Sequence, residues 1–285
     1  MVGALNPKTL AAILMIAGII VGIGIGYAIY HGGGQPAAQI QTRIVEENYK
    51  IQLRYSPQVG IYLTDSKGRT LYFFAKDVNG SSACYGGCAE HWPPFYVEKI
   101  KPSPGLNPGD FSVITRKDGT KQLTYKGWPL YYFYKDEKPG DVKGDGVKKV
   151  WYVAKPDYTV LVGYKEGLGL YLVDAYGKTL YFFAKDANGV SACYGACAEK
   201  WPVFSPKPAT ELIIPSVLNL TDFSFLLRND GKVQVVYKGH PLYYWYKDQA
   251  RGQASGHGVK GVWFVADIGG GLPQKGYSPQ GGYKG

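Results

Sequence analysis

The most reactive side chains in this sequence are four cysteines in two i,i+4 pairs, Cys84 with Cys88 and Cys193 with Cys197. Two thiols at that spacing support two chemistries. On the oxidising side of a membrane they close as disulfides, and as thiolates they hold a soft metal such as copper. His91 follows the first pair closely enough to complete a metal site, but Lys200 occupies the matching position after the second. Both methionines, Met1 and Met15, lie near the N-terminus, and no Cys-x-x-Cys-His signal for haem attachment is present. The expectation is one disulfide in each pair, with no metal, cofactor or catalytic residue. Residues four apart on a regular helix hold their Cβ atoms ~5–6 Å apart, whereas a disulfide needs ~3.8 Å, so the bridge requires an irregular turn. Gly86, Gly87 and Gly195, lying between the cysteines, permit one.

The second chemically suggestive set pairs phenols with carboxylates. The spacing Y-x-(F/W/Y)-x-x-D occurs at Tyr72, Phe74 and Asp77, and again at Tyr131, Phe133 and Asp136. It returns at Tyr181, Phe183 and Asp186, and at Tyr243, Trp245 and Asp248. The structural expectation is that the rings pack between layers and each Asp ends its strand by accepting turn amides. The chain has no nucleophile elbow, phosphate loop, zinc-binding helix or matched carboxylate pair, so it is not expected to be an enzyme. His31, His240 and His257 have no repeated partner; Trp128 and Asp145 stand opposite the last two. Asn79-Gly-Ser and Asn219-Leu-Thr fit the glycosylation acceptor pattern.

These residues sit in an internal duplication. The run from Gly60 to Asp77 reappears from Gly169 to Asp186, Tyr125–Asp136 returns as Tyr237–Asp248, and Gly146–Ala154 as Gly258–Ala266. The resulting division is two homologous domains, residues 47–155 and 156–267. Asp65-Ser-Lys-Gly68, Asp174-Ala-Tyr-Gly177, Lys126-Gly127 and Lys238-Gly239 are turn signals, each followed by an aromatic run of strand length. Along Tyr72–Asp77, period two sends Tyr72, Phe74 and Lys76 to one face and Phe73, Ala75 and Asp77 to the other. Both faces are partly apolar and need cover. The fold class is therefore all-β: two tandem sandwich or barrel-like domains of roughly eight short strands each.

Ahead of these domains, no charge interrupts the chain between Lys8 and His31, and at about 1.5 Å per residue the run covers ~30 Å. The expected arrangement is a cytoplasmic N-terminus (residues 1–9), a retained single-pass anchor (10–30) and a linker (31–46), with both domains extracytoplasmic in the cell membrane. Gly18, Gly22 and Gly26 share one helix face, as in self-associating transmembrane helices, which makes a homo-oligomer an open alternative. The Gly/Pro/Tyr-rich tail, residues 268–285, is expected to be disordered. A formal charge of +10 without any Lys/Arg block excludes a typical nucleic-acid binder. It fits a surface facing envelope polymer, glycan or another envelope protein.

The four tyrosine motifs, with Cys84-Tyr-Gly-Gly-Cys…Trp92-Pro and Cys193-Tyr-Gly-Ala-Cys…Trp201-Pro, resemble the secreted repeat of prokaryotic lipoproteins, a family of unassigned function. The resemblance covers nearly the whole region outside the membrane and implies an extracytoplasmic location. This chain differs in having no cysteine before Cys84 to carry a lipid. Two functions follow as expectations: a non-enzymatic envelope structural or ligand-binding module, and alternatively an accessory protein of extracytoplasmic electron transfer or metal handling that uses the Cys-x3-Cys pairs.

Overall fold

Alternating apolar residues and a tight turn at Pro57–Val59 make the first hairpin, β1 (Ile51–Ser56) with β2 (Gly60–Asp65), in the register Ile51↔Asp65 to Ser56↔Gly60. β3 (Tyr72–Phe74) follows, then a single 3₁₀ turn over Ala75–Asp77, and then a five-residue helix, α1 (Gly87–His91). The remaining strands of the repeat are β4 (Phe111–Thr115), β5 (Lys121–Tyr125), β6 (Trp128–Pro129) and β7 (Trp151–Val153). The second repeat has the same order: β8 (Val160–Lys165), β9 (Gly169–Asp174), β10 (Tyr181–Phe183), α2 (Ala196–Lys200), β11 (Phe223–Leu227), β12 (Val233–Tyr237), β13 (His240–Tyr243) and β14 (Trp263–Val265). This computed structural model describes residues 48–186, 189–206 and 211–269.

In the second repeat five strands form one antiparallel sheet in the order β11-β12-β13-β10-β14. The first repeat has the same order in two pieces, β4-β5-β6 and β3-β7, joined by the antiparallel bridge Tyr72↔Tyr131. The hairpins β1-β2 and β8-β9 pack beside these sheets as separate two-stranded units. The all-β expectation is met with seven strands per repeat instead of eight, and no barrel closes among the described residues. Along β3 the alternation holds, since Tyr72 and Phe74 enter one apolar cluster and Phe73 enters another. It stops at Phe74, because the backbone turns into the 3₁₀ segment that buries Asp77 and leaves Lys76 in solvent.

The repeats meet through side chains that occur on one side only. Val78 packs against Gly163, where an added Cβ would lie 2.7 Å from the Val78 side chain. Trp128 Nε1 donates to the Ala175 carbonyl at 2.9 Å, and Arg251 donates to the carbonyls of Val78 (2.8 Å) and Lys126 (2.9 Å) with its guanidinium 4.8 Å from the Trp128 ring centroid. Order continues past the expected start of the tail: Ile268 packs on the second core and its amide donates to the Leu170 carbonyl. The expected anchor at residues 10–30, its flanks at 1–9 and 31–46, and the tail beyond Gly269 lie outside the described residues. Among the described residues no helix is long and apolar enough to cross a membrane.

Candidate functional site

Each repeat is built around a reciprocal exchange between its two tyrosine motifs. Tyr72 donates its hydroxyl to Asp136 Oδ2 at 2.6 Å, and Tyr131 donates to Asp77 Oδ2 at 2.5 Å. In the second repeat Tyr181 donates to Asp248, and Tyr243 to Asp186 at 2.7 Å. The Tyr of one motif is thus completed by the Asp of the other, and a single motif leaves both groups unmatched. The second carboxylate oxygen closes the turn as expected: Asp77 Oδ1 accepts the Ala83 amide and Asp186 Oδ1 the Ala192 amide, both at 2.7 Å.

The aromatic members interleave in the same way. Phe74, Trp151, Trp92 and Phe133 form a continuous stack with successive ring centroids 4.0, 3.8 and 4.3 Å apart. Its counterpart is Phe183, Trp263, Trp201 and Trp245, at 4.2, 3.7 and 4.1 Å. Tyr131 and Tyr243 meet Trp151 and Trp263 edge-on at 5.1 and 5.2 Å. Gly144 and Gly256 lie against this assembly. A Cβ at Gly256 would fall 2.9 Å from both Trp201 and Tyr181, so a side chain there would displace the rings.

Arg116 and Arg228 are buried charges that hold the cysteine loops and carry no distinctive spacing in the sequence. Arg228 donates to Ser191 Oγ (2.6 Å), Gln234 Oε1 (2.8 Å) and the Cys193 carbonyl (2.8 Å), and its guanidinium lies 4.2 Å from the Tyr194 ring centroid. Arg116 repeats these contacts with Ser82, Gln122, the Cys84 carbonyl and Tyr85. Their one signal in the sequence is that they occupy matching positions in the two repeats, each ahead of a Gln, Gln122 and Gln234. Burial pushes the Asp77 carboxyl up to about 7 and that of Asp186 up to about 6, against the lowering effect of their hydrogen bonds. Burial also raises the hydroxyls of Tyr72, Tyr131, Tyr181 and Tyr243 well above the usual phenol range. These phenols remain protonated donors at neutral pH.

Both cysteine pairs are disulfides, Cys84–Cys88 with Cα atoms 5.2 Å apart and Cys193–Cys197 at 5.3 Å. The irregular turn falls at Gly86 and Gly195, whose φ values of +54° and +53° suit glycine. With all four sulfurs bonded, neither pair offers thiolates to a metal, and His91 turns its Nδ1 to the Gly87 carbonyl at 2.8 Å. A loop this short restricts the unfolded chain little, so Cys84→Ser with Cys88→Ser should cost about 2 kcal/mol in denaturant unfolding. Mass spectrometry without reductant should find all four thiols of the parent chain blocked.

The unrepeated histidine at His257 also has a place. Its Nδ1 accepts the Val265 amide at 3.3 Å, the role that Asp145 Oδ1 performs for Val153 at 2.9 Å. His240 packs against Phe182, where its counterpart Trp128 faces the junction between repeats. Asn79 and Asn219 are exposed, and each accepts the amide two residues on. Among the described residues no group of three or more His, Cys, Asp or Glu side chains could hold a metal ion. An open groove of about 520 Å³ runs over residues 214–220, a stretch without an ionisable side chain.

Four consecutive stretches of the chain, residues 56–96, 112–155, 164–205 and 225–267, match one family model, described as a secreted repeat of unknown function. Each stretch contains one of the four tyrosine motifs, so two family units interlock to make each repeat of the fold. No curated protein and no solved structure matches. On the strength of these four matches, which together span more than half of its length, the chain belongs to this family of secreted repeats.

Proposed function

We propose that this protein is a non-enzymatic module of the cell envelope, anchored by residues 10–30 and presenting its two repeats outside the cytoplasm. There its exposed tyrosines and lysines contact envelope polymer, glycan or another envelope protein. The observation that carries this reading is the disposition of the reactive groups. The four motif phenols, the four motif carboxylates and the four sulfurs are engaged with one another inside the repeats. Among the described residues the surface is left with Tyr55, Tyr96, Tyr134, Tyr176 and Tyr246, which are large, rigid contact groups. Lys135 lies 5.4 Å from the Tyr134 ring centroid and Lys247 5.7 Å from that of Tyr246, so each of these two exposed rings carries a cation.

Two measurements test the reading. Protease added to intact cells should remove the repeats and spare a membrane-bound stub, and full protection would overturn the extracytoplasmic placement. The purified chain should sediment with isolated envelopes in a salt-sensitive manner, the behaviour expected when a net charge of +10 meets an anionic surface. Binding should weaken when Tyr134 and Tyr246 are both changed to Ser, and unaltered binding in that variant would remove these tyrosines from the contact surface.

A further inference from the structure

The ring stacks of the two repeats are alike in shape but different in redox chemistry. In the second repeat every ring from the surface to the buried motif tyrosine is Tyr or Trp. Tyr246 is 43% exposed and meets Trp245 at 4.7 Å; Trp245 meets Trp201 at 4.1 Å, Trp201 meets Trp263 at 3.7 Å, and Trp263 meets Tyr243 at 5.2 Å. At the buried end the Tyr243 hydroxyl donates to Asp186 Oδ2 at 2.7 Å. In the first repeat Phe133 stands where Trp245 does, and benzene is far harder to oxidise than indole or phenol. Packing alone does not call for Trp at 245, because Phe133 fills the equivalent place at a centroid distance of 4.3 Å from Trp92.

We propose that Tyr246, Trp245, Trp201, Trp263 and Tyr243 form a one-electron relay that carries oxidising equivalents from the surface of the second repeat to a buried tyrosine. A diffusible radical oxidant takes one electron at Trp245, or at Tyr246 with the phenolic proton passing to water and returning as the vacancy moves to Trp245, and is itself reduced by one electron. The vacancy passes through Trp201 and Trp263, and Tyr243 supplies the electron that fills it. As Tyr243 is oxidised its O–H bond breaks and the proton moves along the existing hydrogen bond to Asp186. The products are the neutral Tyr243 radical, protonated Asp186 and the reduced oxidant. The raised affinity of Asp186 for a proton, caused by its burial, favours this transfer. Ser191 Oγ, 2.8 Å from the Tyr243 oxygen, keeps a hydrogen bond to the radical.

The test is pulse radiolysis of the full chain with azide radical as the oxidant. The optical band of the Trp radical should give way to that of a Tyr radical in a phase whose rate does not depend on protein concentration. Tyr181, edge-on to Trp201 at 5.5 Å and hydrogen-bonded to Asp248, is the other buried tyrosine within reach. Tyr243→Phe should therefore abolish the phase while leaving the Trp radical, and Tyr181→Phe should leave the phase unchanged. Trp245→Phe copies the first repeat and so keeps a ring that the fold tolerates, and it should also lose the phase. Phe133→Trp should add a second phase that ends on Tyr131. A phase that persists unchanged in Tyr243→Phe or in Trp245→Phe, or the absence of any gain in Phe133→Trp, would overturn the relay.

Discussion

Trp92→Ala is expected to cost about 3–5 kcal/mol, enough to consume much of the stability of a domain of this size. Trp92 lies between Trp151 at 3.8 Å and Phe133 at 4.3 Å, with Tyr72 edge-on at 5.4 Å and Gly144 against its rim. Its neighbours come from both family units of the repeat, so none can close the void without drawing the two units together. Rings locked in a stack relax poorly, which places the cost at the upper end for aromatic truncation. Trp92→Phe keeps a ring in the slot and should recover more than half of the loss. Urea unfolding of the full chain, followed by near-ultraviolet circular dichroism, measures both. A cost below about 1 kcal/mol for the Ala variant would mean that the stack does not hold the repeat together.

The reciprocal Tyr–Asp pairs carry the second large effect. Tyr131→Phe removes the hydrogen bond to Asp77 and leaves a carboxyl with no measurable exposure lacking one partner, at an expected cost of about 2–3 kcal/mol. The pH dependence of stability separates this loss from simple repacking. The carboxyl of Asp77 titrates at about 7 in the folded chain, against an ordinary value of 3.8, because burial disfavours its charged form. The folded state therefore binds the proton more tightly than the unfolded state. The contribution of Asp77 is complete below about pH 4 and declines as pH rises through about 7. Tyr131→Phe removes a bond that favours the ionised form, so the decline should extend to higher pH. Asp77→Asn should flatten stability across this window, and an unchanged slope in that variant would assign the titration to another group.

Several features of the site follow from local rules. The i,i+4 cysteines with glycine between them close as disulfides, because short-range geometry and compartment decide that chemistry. The turns at Lys126-Gly127 and Lys238-Gly239 hold both residues at positive φ, as a tight hairpin ahead of Pro demands. The alternation through Tyr72, Phe73 and Phe74 is a property of any pleated strand. The same rule does not extend to Asp77, because the strand ends at Phe74 and the backbone turns into the 3₁₀ segment Ala75–Asp77.

The duplication, the all-β class, the four tyrosine motifs and the pairing of the cysteines were legible before folding, since each depends on residues close together in the chain or on self-similarity. Which Asp completes which Tyr emerges from the folded chain alone, as Asp136 and Tyr72 are 64 residues apart and nothing local distinguishes that choice from Asp77. The same holds for the interleaving of Phe74, Trp151, Trp92 and Phe133, the Arg116 and Arg228 clamps, and the fit of Val78 to Gly163. These contacts join segments distant in sequence, and their partners are selected by shape and by the hydrogen-bonding needs of buried polar groups, conditions that exist only after the chain has closed on itself.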